Sequence, residues 1–150
     1  MNMEKKIIAT NRKARFEYNL LDHYEAGIVL LGTEIKSVRA RQASIGEAYV
    51  QTDGREVWLV NSHISPYDPA SRMNHDPKRK RKLLLKRKEI NQLWNAVRQK
   101  GLTIVPVEIY LSNGKAKLDI AVARGKKLYD KRRDIAERDL KRDMERNKKI

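Results

Sequence analysis

An Asn-Gly pair at 113–114 stands between two apolar, β-forming runs, residues 104–111 and 116–122. Asn-Gly accepts the positive φ angles of a tight turn, so the two runs form an antiparallel hairpin. Asp53-Gly54 repeats the device as a two-residue turn between 47–51 and 57–60. Two further strands are predicted at 16–21 and 25–31 from their β-branched, aromatic and apolar content. The result is six strands in antiparallel order. Several are apolar on both faces, as in Val57, Trp58, Leu59 and Val60. Such strands need cover on both sides, which a small barrel with helices packed on it supplies.

Helices interrupt the strands. Residues 33–41 read as a short helix with Thr33 as N-cap and Ile35 and Val38 one turn apart. A longer helical region, 77–100, opens on Asp76 as cap and Pro77 at the first helical position, and stops before Gly101. Its second half carries Ile90, Leu93, Trp94 and Val97 on one face. The pattern leaves open whether this is one helix or two with a break near Lys86. After Gly125 the apolar content drops, and Ala136, Leu140 and Met144 form only a narrow stripe. Acid-to-base pairs (Asp134–Arg138, Glu137–Lys141, Glu145–Lys149) favour a helix there, each by about 0.2–0.5 kcal/mol. A solitary helix of this kind is marginal in water. The chain therefore divides into a barrel over 1–125 and a tail over 126–150 that is disordered alone and helical on a partner.

Charge narrows the partner. The chain has 34 Lys plus Arg against 19 Asp plus Glu in 150 residues, a formal net charge of +15. The cations are clustered: five in residues 1–15, nine in 72–88 and twelve in 124–150. Five consecutive cations at 78–82 repel one another unless an anion such as a phosphate backbone lies nearby. This distribution points to nucleic acid. Candidate contacts are Arg12, Lys13, Arg15, Lys36, Arg39, Lys78, Arg79, Arg81 and Lys82. The aromatic candidates Phe16, Tyr18, Tyr49, Trp58 and Tyr110 form no run on one face. That weakens a base-stacking platform and favours a folded RNA read by shape and backbone charge.

Catalytic signatures are missing. His23, His63 and His75 lack metal-ligand spacing, and there is no phosphate-binding glycine loop or nucleophile elbow. No enzyme activity, metal or cofactor is expected. Cysteine is absent, which fits a reducing compartment. No apolar run is long enough for a membrane span, and the N-terminus has no secretory h-region, so a cytoplasmic protein is expected.

Four segments, NRKARFEY (11–18), EAGIVLLGTEIKSVR (25–39), NHDPKRKRKLLLKRKEI (74–90) and ARGKKLYDKR (123–132), resemble the SmpB (small protein B) family in the same order. These are the bacterial protein partners of transfer-messenger RNA. The resemblance implies an oligonucleotide-binding-type barrel of six antiparallel strands with three helices, and no enzyme activity. It implies that the barrel holds the tRNA-like domain, standing in for a missing anticodon arm. The alanylated RNA, the protein and GTP-bound elongation factor Tu would enter a stalled ribosome, with the protein acting as a monomer. The tail would fold as a helix in the vacant mRNA channel beside the small-subunit decoding centre.

Residue by residue, Asn11, Glu25 and Leu84 match family positions tied to RNA binding. Gly125, Lys126, Lys127, Asp130, Lys131 and Arg132 match the tail motif needed on the ribosome, and Tyr129 stands where the family puts a ring beside the decoding bases. Arg133, Arg138, Leu140, Lys141 and Arg142 complete the candidate tail surface. Leu140 stands where some members carry Trp, and Asn147 where some carry an apolar residue, so the tail offers less bulk for anchoring. A carboxylate at Glu25 is unsuited to a phosphate but accepts hydrogen bonds from base donors or holds an Arg in place. Composition alone also fits a basic structural protein of the ribosome, whereas a barrel-based nuclease or RNA-modifying enzyme is opposed by the absence of a ligand cluster or cofactor loop.

Overall fold

The hairpin at Asn113-Gly114 forms the middle of the sheet. Its strands, β8 (Thr103–Ser112) and β9 (Lys115–Gly125), pair from Ser112 opposite Lys115 to Thr103 opposite Ala123. Both turn residues have positive φ, 51° and 77°, as a two-residue hairpin turn requires. The computed structural model describes residues 5–67, 74–126 and 128–147, with the backbone alone at 128–130, 134 and 145–147.

The remaining elements are β1 (Lys5–Thr10), α1 (Arg12–Glu17), β2 (Tyr18–Ile28), α2 (Gly32–Arg39), β3 (Ala43–Ser44), β4 (Tyr49–Thr52), β5 (Val57–Val60), β6 (His63–Ile64), β7 (Arg81–Leu84), α3 (Arg87–Lys100) and α4 (Leu128–Asn147). Seven strands form one antiparallel sheet in the order β1-β8-β9-β2-β7-β5-β4, and β3 pairs with β6 beside it. The strand β4 lies against β8 although the two stand far apart in that order. The sheet is therefore curled until its end meets its second strand, the mainly antiparallel barrel-like class expected, with more strands than the six predicted.

Burial follows from the curl. Ile104, Ile109 and Leu111 of β8 and Ala116, Leu118, Ile120 and Val122 of β9 face inward, together with Val57, Leu59, Leu83 and α3's Leu93. The opposite face of the same hairpin, Val105, Val107, Ala121 and Ala123, is covered by Ala14 of α1. A register shift between Pro106 and Glu108 switches the alternation of β8, and both faces end up apolar.

Several expectations are corrected. The predicted strands 16–21 and 25–31 are one strand, β2, with an irregularity between Leu20 and His23; Phe16 belongs to α1. The 53–54 turn is a four-residue loop, since Thr52 pairs with Val57, and Asp53 Oδ1 accepts the amides of Arg55 and Glu56. Thr33 is not the cap of α2. The carboxylate of Glu34 accepts the Leu31 amide at 2.7 Å, while the Thr33 hydroxyl bonds His75 Nδ1 at 2.8 Å. The helix predicted from Pro77 begins only at Arg87, and Gly101 closes it with φ 64°. Residues 77–80 form a turn on Asp76, and 81–84 are strand β7.

That strand was hidden because its inward residue is an arginine. Arg81 and Leu83 face in, while Lys82 and Leu84 face out, which is the period of a strand. The fully buried Arg81 donates to Glu34 Oε2 at 2.7 Å through Nε, to Ser62 Oγ at 3.0 Å and to the Pro77 carbonyl at 3.2 Å. Arg79 grips Glu34 Oε1 at 2.6 Å from the rim. Arg81, a candidate RNA contact by charge, is thus a structural residue out of reach of any phosphate. Burial alone would raise the pKa of Glu34, but the hydrogen bonds from Arg79, the Leu31 amide and Arg81 hold it below its ordinary 4.5.

Two outcomes are expected in thermal melts. Gly54→Val and Gly114→Val each place a β-branched residue at a positive φ (89° and 77°) and should cost about 1–3 kcal/mol. Gly54→Val should cost more, because its Cβ would meet the Trp94 ring at 3.2 Å. Unchanged melts would contradict both turns. Glu34→Gln leaves Arg81 buried without a counter-charge and should cost about 3–5 kcal/mol, with Glu34→Leu/Arg81→Met together costing less. Because the folded-state pKa of Glu34 is depressed, its contribution is complete above its ordinary value of 4.5 and is lost as pH falls through the lower folded value. Acid titration of the melting temperature checks the sign: wild type should lose stability over that window, and Glu34→Gln should lose less.

Candidate RNA interface

The cross-strand register lines up three acids. Glu25 on β2 lies opposite Asp119 on β9, and Asp119 lies opposite Glu108 on β8. Like charges directly opposite are destabilising. Each carboxylate therefore has its own donor: Lys5 Nζ at 3.0 Å from Glu108, His23 Nδ1 at 3.0 Å from Asp119, and the Tyr110 hydroxyl on Glu25. The Tyr110 hydroxyl is held well above its ordinary pKa of 10, by burial first and then by Glu25, so it remains a donor. Lys5 also covers the Tyr110 ring at 4.4 Å.

Glu25 is exposed at the end of this row. A carboxylate has about four acceptor positions, so one hydrogen bond to Tyr110 leaves capacity for a ligand. In a strongly basic protein such a row repels phosphate and suits the N–H donors of bases. Leu84, 54% exposed on β7, lines a shallow cleft with Gly27, Ile28, Ile35, Lys115 and Lys117. Base-accepting, apolar and cationic groups thus share one surface. His23, Tyr110 and Asp119 were missed as a set by sequence reasoning, because their contacts close over 85 and 96 residues of chain.

The other predicted contacts divide. Arg12, Lys13 and Arg15 are exposed on α1, Lys36 and Arg39 on α2, and Lys78 on the turn before β7. Lys13 lies 3.5 Å from Glu47, and Lys82 lies 3.2 Å from Glu56. Asn11 is 3% exposed, and both ends of its amide are engaged: Oδ1 accepts the Ala14 amide and Nδ2 donates to the Pro106 carbonyl. It caps α1 and fixes the helix to β8, which positions the α1 cations.

The tail begins beside α1. Past Gly125, the Lys126 amide donates to the Glu17 carbonyl at 2.8 Å and its Nζ to the Arg15 carbonyl at 3.1 Å. An ammonium among the last carbonyls of a helix is electrostatically favoured. Lys131 lies 5.8 Å from the Phe16 ring centroid. Farther on, Arg132, Arg138 and Lys141 are exposed, Arg133 pairs with Glu137, and Arg142 with Asp139. Glu137 thus turns toward Arg133 rather than toward the Lys141 expected from spacing. Leu140 is 63% exposed. Lys127 and the side chains of Tyr129 and Asp130 lie outside the described residues, as do those of Asp134 and Glu145 in the predicted pairs.

Known proteins resemble this chain along nearly its whole length. The family model described as SmpB protein matches residues 8–150. A protein named SsrA-binding protein from Syntrophomonas wolfei is 54% identical over 144 residues, covering 96% of this chain and 92% of the relative. Its namesake from Desulforudis audaxviator is 50% identical over 141 residues, covering 94% and 92%. A solved structure described as "tmRNA-SmpB: a journey to the center of the bacterial ribosome" superposes with a TM-score of 0.67 at 47% identity, covering 79% of this chain and 84% of that one. Fold, motif order and near full-length identity place this chain in the SmpB protein family.

Proposed function

We propose that this chain binds transfer-messenger RNA and acts with it in trans-translation on stalled ribosomes. The observation that carries the reading is the carboxylate row ending at Glu25, set in a +15 chain whose relatives are named for binding SsrA RNA. Acids read base donors of the tRNA-like domain, and the surrounding cations of α1 and α2, with Lys78 and Lys82 on either side of the buried Arg81, hold its phosphates. Asn11 acts indirectly by fixing α1. The protein supplies binding and orientation, not catalysis. It enters the ribosome as a monomer on the alanylated RNA with GTP-bound elongation factor Tu, in the cytoplasm.

The tail reads the empty mRNA channel. Its helix carries cations around most of its circumference and exposes Ile135, Leu140 and Met144, a surface suited to a groove walled by ribosomal RNA. On its own it has little apolar surface to hold it, so its helix is weak until the channel encloses it. The clamp at Lys126 sets the point from which it departs.

Two measurements test this division. Affinity for the tRNA-like domain should fall with salt, log K changing by roughly 0.7 to 0.9 per phosphate neutralised for each unit of log salt. Lys36→Ala or Arg39→Ala should weaken binding and flatten that slope, whereas Glu25→Gln should weaken it with the slope unchanged. A salt-independent affinity contradicts the reading, and equal affinity for ribosomal RNA fragments would favour a structural ribosomal protein instead. Truncation after Lys126 should leave the melting temperature and most RNA affinity intact and abolish tagging on ribosomes carrying mRNA without a stop codon. Asp130→Ala, Lys131→Ala and Arg132→Ala together should reproduce much of that loss, and Lys148→Ala with Lys149→Ala much less. Tagging by the truncated protein would refute the tail's role.

A further inference from the structure

The outer face of β4-β5-β7 brings together aromatic rings that the sequence keeps apart. Gln51 pairs with Trp58, and Trp58 with Lys82, so the three form one row across the strands. Tyr49 pairs with Val60 in the next row, which makes Tyr49 and Trp58 diagonal neighbours, roughly 7–8 Å apart. The inward positions of the same strands are Val50, Val57, Leu59, Arg81 and Leu83, all buried, so Tyr49 and Trp58 are on the outside by alternation. Tyr49 is 49% exposed, and Trp58 is partly so. Lys80 stands 4.8 Å over the Trp58 ring, and Lys82 is 3.2 Å from Glu56.

Neither ring is used by the core or by the carboxylate row. Both lie on a sheet that continues through β7 to Leu84 and Gly27, the apolar part of the RNA surface described above. Two rings at the spacing of adjacent rows, edged by lysines, are what an unpaired nucleic acid strand needs: π faces for bases and cations for the backbone between them. A duplex hides its base faces and gains nothing from the rings.

We infer that this face is a second RNA-binding site, which stacks bases of an unpaired segment continuous with the RNA held at Glu25 and Leu84. Trp58 and Tyr49 stack the bases, and Lys80 gives up its position over the Trp58 ring to hold the intervening phosphate. The inference rests on the proposed binding of the tRNA-like domain, and it revises the expectation from sequence that shape and backbone charge are favoured over base stacking.

The test compares the tRNA-like domain alone with the same RNA extended by roughly eight unpaired nucleotides, a length within the range of such sites. Affinities are measured by fluorescence anisotropy with the full chain. The extension should tighten binding by about 5- to 150-fold for each base stacked. Trp58→Ala and Tyr49→Ala should each remove much of that gain while leaving affinity for the unextended domain unchanged, and Trp58→Phe should keep most of it. Circular dichroism melts identify any variant that fails to fold, and the exposed Tyr49 provides a second readout should Trp58→Ala do so. No gain from the extension, or a gain that survives both alanine variants, overturns the inference. So does an equal gain when the extension is made double-stranded, or an unlinked oligomer that binds as tightly as the extended RNA. Loss of binding to the unextended domain alone in wild type would be the separate failure of the proposed function, and the inference would fall with it.

Discussion

Glu34 holds two arginines that would otherwise have no place in this fold. Its carboxylate accepts from Arg81 in the interior, from Arg79 at the rim and from the Leu31 amide at the start of α2. Ion pairs of this kind do not stabilise a fold by much over an apolar substitute, because desolvating the charges costs nearly what their attraction returns. Their effect here is specificity. With Arg81 committed inward, β7 has one register, and Lys82 and Leu84 must face out. The turn on Asp76 is tied down by the same guanidinium, and His75 adds bonds to Thr33 and to the Ile64 carbonyl. A segment that would be a repelling cationic loop becomes an ordered strand between β2 and β5.

The surface chemistry follows from that placement. Cations lie on α1, α2 and the 78–82 segment, whereas the central strands carry the acids. In the RNA-binding role proposed above, phosphate attraction and base reading fall to different elements, so affinity and selectivity can change separately. The three acids tolerate one another only because Lys5, His23 and Tyr110 each neutralise or bond one of them. Two of these donors come from strands that flank the hairpin, which makes the row a property of the assembled sheet.

The tail obeys a different balance. Its described apolar side chains Ile135, Leu140 and Met144 are exposed, and so are its described ion pairs, each of which adds little. Among the described residues, Lys126 at the end of α1 and Lys131 over the Phe16 ring join it to the body. Such contacts can be exchanged for others at small cost, which suits the partner-binding role proposed for this segment.

How much the sequence alone determined depends on the range of each signal. Both glycine turns, the strands around them and the Gly101 stop of α3 were legible, because each rests on local conformational preference or on an apolar period. The family motifs and the clustered charge were legible for the same reason. The short strands β3 and β6 were not, nor was β1, whose alternation is weak and whose partner β8 lies about a hundred residues away. Strand β7 was mistaken for helix because a buried arginine does not register as a core residue until its acid partner, 47 residues away, is in place. Clustered charge was correct about the class of partner and wrong about Arg81, since composition carries no direction. The sequence by itself determined the Asn113-Gly114 turn, the Gly101 end of α3, the basic character and the family. Only the tertiary structure decided which cation is buried, which three acids meet and which two rings share a face, because those choices depend on register between strands distant in the chain.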